Sequence, residues 1–218
     1  MTTAPADQRR DRLATAAVQL GLPMDATTID RMLAYLDLLV RWNTTYNLTA
    51  VRDPDDMLTQ HLVDCLAVLP PMQRMLGEAR RRVLDVGSGG GLPGVVLAML
   101  RPDDAVVCVD AVGKKAAFVR QVGLELRLPN LQVEHARVER LDMPGFNVIV
   151  SRAFATLRDF TVMTKHLVAS GGTWMAMKGK RPDKEMAEMP ADVAVFHVEQ
   201  LAVPGLSAER CVVWMRAR

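Results

Sequence analysis

Val83-Leu84-Asp85-Val86-Gly87-Ser88-Gly89-Gly90-Gly91-Leu92-Pro93-Gly94 carries a short apolar run into a turn with four glycines in five positions. The run reads as a strand and the turn as its junction with a helix, because Pro93 suits a first helical turn, where its missing N–H is not needed. Glycine has no Cβ, so Gly87, Gly89, Gly90 and Gly91 reach backbone angles closed to other residues and let a ligand approach the main chain. Glycines at that density weaken a fold unless something uses the space. The turn therefore reads as a binding loop, with Asp85 as a carboxylate at the strand end.

Working outward, short β-rich runs at Val83 to Val86, Ala105 to Val109, Leu131 to Glu134, Val148 to Val150 and Thr173 to Met177 alternate with helical segments such as Lys114 to Arg127 and Leu157 to Val168. Such alternation predicts a mostly parallel sheet with helices on both faces. Val193 to Val203 and Arg210 to Arg216 read as two strands joined by a Pro-Gly turn. A hairpin makes its strands antiparallel, so the last strand is expected to run against the rest. Upstream the periodicity is helical: Leu13, Ala16, Ala17 and Leu20 share one face, and Ile29, Leu33, Leu36 and Val40 another. A third helix is expected from Pro54, capped by Asp53, towards Pro70-Pro71. The expected fold is α/β, a Rossmann-like sheet with an antiparallel C-terminal strand. Residues 1–80 form a helical extension on the substrate side, and residues 81–218 the ligand-binding domain.

Half of the 218 residues are hydrophobic, enough for a real core, and the formal charge of +2 argues neither for nor against a nucleic-acid partner. Basic runs at Arg9, Arg10 and Arg12, at Arg80 to Arg82, and at Lys178, Lys180 and Arg181 read first as solvated faces. Gathered on one surface, they would make a phosphate footprint. Cys65, Cys108 and Cys211 form no CxxC pair, so neither a metal site nor a disulfide framework is expected. Cys108 and Cys211 read as small buried hydrophobes. No stretch reaches the ~18 apolar residues of a membrane helix, and no apolar leader is evident, so a cytoplasmic protein without a membrane partner is expected.

In an open parallel sheet, ligands sit beyond the carboxyl ends of the strands. The candidates are then Gly87 to Leu92 after the first strand, Asp110 after the second, Arg137, Val138 and Glu139 after the third, and Ser151, Arg152 and Ala153 after the fourth. Asp110 lies where a ribose diol would find an acceptor, or where the helix near Gly113 would find a cap. Gly89, Gly91 and Gly94 also satisfy the GxGxxG spacing of a dinucleotide site. Against that reading, the rest of the chain completes this same sheet and leaves no second catalytic domain.

The pattern Asp85-Val-Gly87-Ser-Gly89-Gly-Gly91 followed by Asp110 resembles the class I S-adenosylmethionine-dependent methyltransferases. Trp42-Asn43-Thr-Thr-Tyr46-Asn47-Leu48-Thr49, His61-Leu-Val-Asp64, Leu92-Pro93-Gly94, Gly113-Lys114-Lys115 and Ser151-Arg152-Ala153 narrow the resemblance. They are similar to the bacterial small-subunit ribosomal RNA guanine-N7 methyltransferases. The resemblance spans roughly residues 40–180 and implies methyl transfer from S-adenosylmethionine to N7 of a guanine in 16S small-subunit RNA, free or in a particle. It implies a cofactor site at Gly87, Leu92, Val138, Glu139 and Arg152, with Asp85, Gly89 and Gly91 in the turn and Asp110 at the ribose. Two positions depart from the pattern: Cys65 stands where relatives often carry Ser, and Asn147 where an Asp is common.

Methylating guanine N7 needs no general base, because that nitrogen has a lone pair and no proton. No catalytic dyad is sought, and Arg152 is the leading candidate contributor. Asn43 and Asn47 are candidates to meet the guanine edge, set against the alternative that they shape the end of the second helix. His61 reads as satisfying a backbone group, and Met163, Met175 and Met177 as core filler. A class I methyltransferase with another substrate, and a nucleotide- or RNA-binding module without transfer activity, remain the competing readings.

Overall fold

The computed structural model describes residues 6–218, so residues 1–5 of the helical extension lie outside the described residues. Strands β1 (Arg82–Val86), β2 (Ala105–Asp110), β3 (Leu131–His135), β4 (Phe146–Ser151), β5 (Val168–Lys178), β6 (Val193–Leu201) and β7 (Arg210–Ala217) make one sheet in the order β3-β2-β1-β4-β5-β7-β6. Neighbours among β1 to β5 are parallel, and β7 runs antiparallel to both β5 and β6. The antiparallel last strand agrees with the hairpin reading. Strand order reverses at β1, which lies between β2 and β4, and the crevice at such a switch point is where a ligand fits.

Helices α1 (Ala6–Gln19) and α2 (Ala26–Tyr46) come first, then α3 (Pro54–Met57), a π-helical segment (Leu58–Val63), α4 (Asp64–Leu66) and α5 (Leu69–Leu76). Asp25 caps α2 by accepting from Thr28 N at 2.7 Å, and Asp53 caps α3 by accepting from Asp55 N and Asp56 N. The expected third helix is thus interrupted by a π turn. Its stop signal also reads differently: Pro70 lies in the opening turn of α5, where amides need no helical acceptor. After the turn, α6 (Gly94–Leu100) and α7 (Gly113–Glu125) link β1 to β2 and β2 to β3, α8 (Leu157–Thr164) links β4 towards β5, and α9 (Asp183–Ala187) precedes β6.

Alternation along the strands divides the core in two. Val83, Cys108, Val148, Val150, Met175, Met177, Val212 and Trp214 pack against α1, α2, the π segment, α6 and α7. Leu84, Val86, Val107, Val109, Ile149, Trp174, Val213 and Met215 pack against α8. The N-terminal helices therefore share one apolar core with the sheet. Met175, Met177, Cys108 and Cys211 are buried as expected.

Candidate active site

A cavity of about 390 Å³, within the usual size of small-molecule sites, opens at the carboxyl ends of β1, β2 and β4. Gly87, Asp110, Lys115, Val138, Glu139 and Phe154 are among its walls. Gly87 has φ +65, and a Cβ there would stand 2.8 Å from Phe154 Cδ2, so only glycine leaves this wall open. Asp110 is buried; its Oδ2 accepts from Gly89 N at 2.9 Å and its Oδ1 from Val112 N at 2.8 Å. It therefore ties the glycine turn to Val112, just before α7, while facing the cleft. Each carboxylate oxygen keeps a second lone pair for a ligand hydroxyl.

The structure brings Gly87, Asp110, Val138 and Glu139 together in this cleft, with Gly89 one hydrogen bond away. Gly91 and Leu92 form the base of the turn. Gly91 has φ +86, and Leu92 is buried in the core beneath. Phe154 and Met163 are cleft residues that local patterning does not reveal. Met163, expected as core filler, is half-buried and lines the cleft because α8 rises along its wall.

Asp85 and Arg152 turn the other way. Strand alternation sends Val86 to the cleft face and Asp85 to the face covered by α6. Asp85 is fully buried, its Oδ2 accepting from Gly94 N at 2.8 Å. Burial pushes its pKa up to about 7, against the opposing pull of that hydrogen bond and of Arg152. Arg152, two residues beyond Val150, reaches the same face. Its Nη1 donates to Gln60 O and His61 Nδ1, each at 3.2 Å, and lies 3.8 Å from Asp64 Oδ2. Arg210 Nε donates to the same buried carboxylate at 2.9 Å.

His61 sits in the π-helical segment, where both ring nitrogens also meet side chains. A guanidinium only donates, so Nδ1 is the acceptor and Nε2–H donates to Thr49 Oγ1 at 2.8 Å. Burial, helped by Arg152, lowers its pKa to about 4, so the ring is neutral near pH 7.

The two asparagines hold the chain after α2. Asn43 is buried; its Nδ2 donates to Val51 O at 3.1 Å and its Oδ1 accepts from Thr49 N at 2.9 Å. Both ends of its amide are thus engaged by main chain, the arrangement expected if it shapes the chain after the second helix. Asn47 ends α2 at φ 49 and accepts from Arg52 Nη2 at 2.7 Å. Asn147 lies at the far end of the sheet, accepting from Arg82 N at 2.8 Å.

The basic runs are spread over the molecule. Arg9 and Arg12 pair with Asp55, Arg10 with Asp30, Lys178 with Glu185 and Arg181 with Asp183, while Arg82 begins β1 at the end away from the cleft. With Arg82 at that end, the three runs do not all share the cleft end of the sheet. The cations in the cleft wall are Lys115 and Arg137. Among the described residues, no group of three or more His, Cys, Asp or Glu could hold a metal ion, and no helix is long and apolar enough to cross a membrane.

A sheet reversing at β1, a glycine turn tied to an acid at the end of β2 and an antiparallel β7 define a class I methyltransferase. Solved structures share this architecture. One is magnesium protoporphyrin IX methyltransferase from Synechocystis with bound SAM (TM-score 0.58, 15% identity, 89% of this chain and 98% of that one). Another is TrmN from Thermus thermophilus (TM-score 0.57, 20% identity, 74% and 53%). Residues 28–213 match the family described as rRNA small subunit methyltransferase G, and the chain belongs to that family. Curated relatives carrying that name include one from Leptothrix cholodnii, 59% identical over 96% of each chain, and one from Methylibium petroleiphilum, 52% identical over the full length of both.

Proposed function

We propose that this chain transfers the methyl group of S-adenosylmethionine to N7 of a specific guanine in 16S small-subunit ribosomal RNA, acting in the cytoplasm on free RNA or a ribosomal particle. The observation that carries the reading is the open wall at Gly87 beside Asp110 in a cleft at the sheet's switch point. The residues present fit the cofactor. Gly87 leaves main chain free to be touched, Asp110 has lone pairs for ribose hydroxyls, Val138 gives an apolar wall and Glu139 an acceptor at the rim.

When bound, S-adenosylmethionine supplies an electrophilic methyl group on a sulfonium. Guanine N7 presents its lone pair without losing a proton, so no side chain here has to act as a base. The protein's work is to hold the two reactants in line and exclude water, an alignment worth on the order of 7–11 kcal/mol of barrier. Lys115 and Arg137 put positive charge where an RNA backbone approaches the cleft. The helices from α1 to α5, which meet the end of β4 through Arg152 on the sealed face, are the side that receives RNA.

The experiment is transfer of labelled methyl from S-adenosylmethionine to small-subunit RNA and particles from cells lacking the homologous enzyme, followed by nucleoside analysis. Label in 7-methylguanosine at one site is the expected result. Label in another nucleoside would keep the cofactor and overturn the target. No label on either substrate would overturn the RNA reading.

A further inference from the structure

The glycine turn is gripped from two sides. On the cleft side Asp110 holds Gly89. On the helical side Tyr35 of α2 donates its hydroxyl to the carbonyl oxygen of Gly90, 55 residues away in sequence. Tyr35 is fully buried, and its ring stacks on Phe118 of α7 with centroids 6.5 Å apart. Leu39, one helical turn further along α2, closes the same seam: its Cδ1 lies 3.0 Å from where a Cβ on Gly90 would be, and Phe118 Cε1 at 3.9 Å. A helix from the far end of the chain thus reaches the middle of the cofactor turn with one directional bond and an apolar clamp.

We propose that Tyr35 is a positioning residue for the cofactor: its bond to Gly90 O sets the conformation in which the turn accepts S-adenosylmethionine, and so links the N-terminal helices to the cleft. The inference rests on the reading of this turn as a cofactor site. Inside the turn, Gly91 N and Leu92 N both donate to Ser88 O, at 2.8 and 3.0 Å. That ring closes around Gly89 and Gly90, whose peptide groups are then oriented by their outside partners, Asp110 and Tyr35. Glycines offer no side chain to stiffen this stretch, so those two bonds supply the stiffness. Burial keeps the phenol protonated far above its ordinary range, so the donor persists at every working pH. Without it, Gly90 O loses its buried donor, and the turn relaxes to find another.

The test compares the unsubstituted chain with Tyr35→Phe, which keeps the stacked ring and deletes the hydroxyl. The readouts are S-adenosylhomocysteine binding by calorimetry and methyl-transfer kinetics with each substrate varied. Loss of one buried hydrogen bond predicts a Kd for S-adenosylhomocysteine about 5- to 10-fold weaker and a matching rise in KM for S-adenosylmethionine. The kcat at saturating cofactor and KM for RNA stay within about twofold of the original. A lower melting temperature with unchanged cofactor Kd would make Tyr35 structural only and overturn the proposal.

Hydrogen exchange on the unsubstituted chain tests the same link without a variant. Added S-adenosylhomocysteine is expected to slow exchange at residues 88–92 and at 32–39 together. Slowing confined to the turn would overturn the link. If the unsubstituted chain binds no S-adenosylhomocysteine, the cofactor reading falls and takes the proposal with it; normal binding there with an unaffected Tyr35→Phe defeats the proposal alone.

Discussion

On one face of the sheet the strand ends open into a cleft walled by Val86, Gly87, Val109 and Phe154. On the other, the same ends are sealed beneath α2, the π-helical segment and α6. The open face is built largely from main chain that only glycine exposes, with one acid holding it. The sealed face is built from side chains: Asp85 under Gly94, and Arg152 among His61, Asp64 and Arg210. Strand alternation puts consecutive residues into these two environments, so Asp85 and Val86 differ in role although they are neighbours. A polar group on the sealed face can be satisfied only within the protein, and Asp85 Oδ1 and Trp214 Nε1 go without a partner there among the described residues, whereas one in the cleft can wait for a ligand.

The contrast can be broken most forcefully at Gly94. A Cβ there would lie 2.4 Å from Cys108 Sγ and 2.8 Å from Asp85 Oδ2, with no open space to take it. Gly94→Ala is expected to cost about 3 kcal/mol in urea unfolding; a loss near zero would show that the sealed face is loose. Next comes Arg152→Ala. Asp64 keeps Arg210 at 2.9 Å, so the fold survives, while turnover falls by about 100-fold, or about 2.7 kcal/mol of barrier. Wild-type rates would make Arg152 part of the seal alone.

Asn43→Ala removes two hydrogen bonds from half-buried main chain and should cost about 2 kcal/mol, with kcat/KM unchanged well below the melting point. A selective loss of rate would return Asn43 to the substrate site.

The smallest effect is in the pH profile of the unsubstituted chain. The carboxyl of Asp85 ordinarily titrates near 3.8 and is raised to about 7 in the fold, so between those values the folded state binds more protons, and stability falls as pH rises. His61 ordinarily titrates near 6.5 and is lowered to about 4; over that window the unfolded state binds more protons, and stability rises with pH. Each slope is at most about 1.4 kcal/mol per pH unit, and from pH 4 to 6.5 they oppose each other. Urea titrations at about pH 4.5, 5.5 and 6.5 should find the native chain flatter than either variant. Stability should climb with pH in Asp85→Asn and decline in His61→Gln. Parallel profiles for all three would mean that neither group carries the burial described.

The open face is largely legible in the sequence, because its signals are local. Strand, glycine turn, proline and an acid some twenty residues on lie in chain order, and the C-terminal hairpin dictates an antiparallel strand. The sealed face is not legible there, because its bonds cross long sequence distances: Arg152 to His61 spans 91 residues, Arg210 to Asp64 146 and Tyr35 to Gly90 55. The chain does hold one clue. Asp85 shares strand parity with Val83 and opposes Val86, and that alternation alone directs it away from the cleft. The engagement of Asn43 depends on a loop whose path no periodicity encodes.

The π turn at Leu58–Val63 has its own consequence. Such a turn holds one residue more than the α-helix around it. Winding the same residues as plain α-helix would rotate the two ends against each other by about 100°, whereas deleting one residue would remove the bulge and leave them in phase. Upstream, Asp55 answers to Arg9 and Arg12; downstream, Asp64 answers to Arg152 and Arg210. A straight α-helix would satisfy one anchorage and swing the other out of phase. The extra residue acts as a phase correction at this chain length, and a single-residue deletion across this turn should be tolerated better than one in the middle of α2.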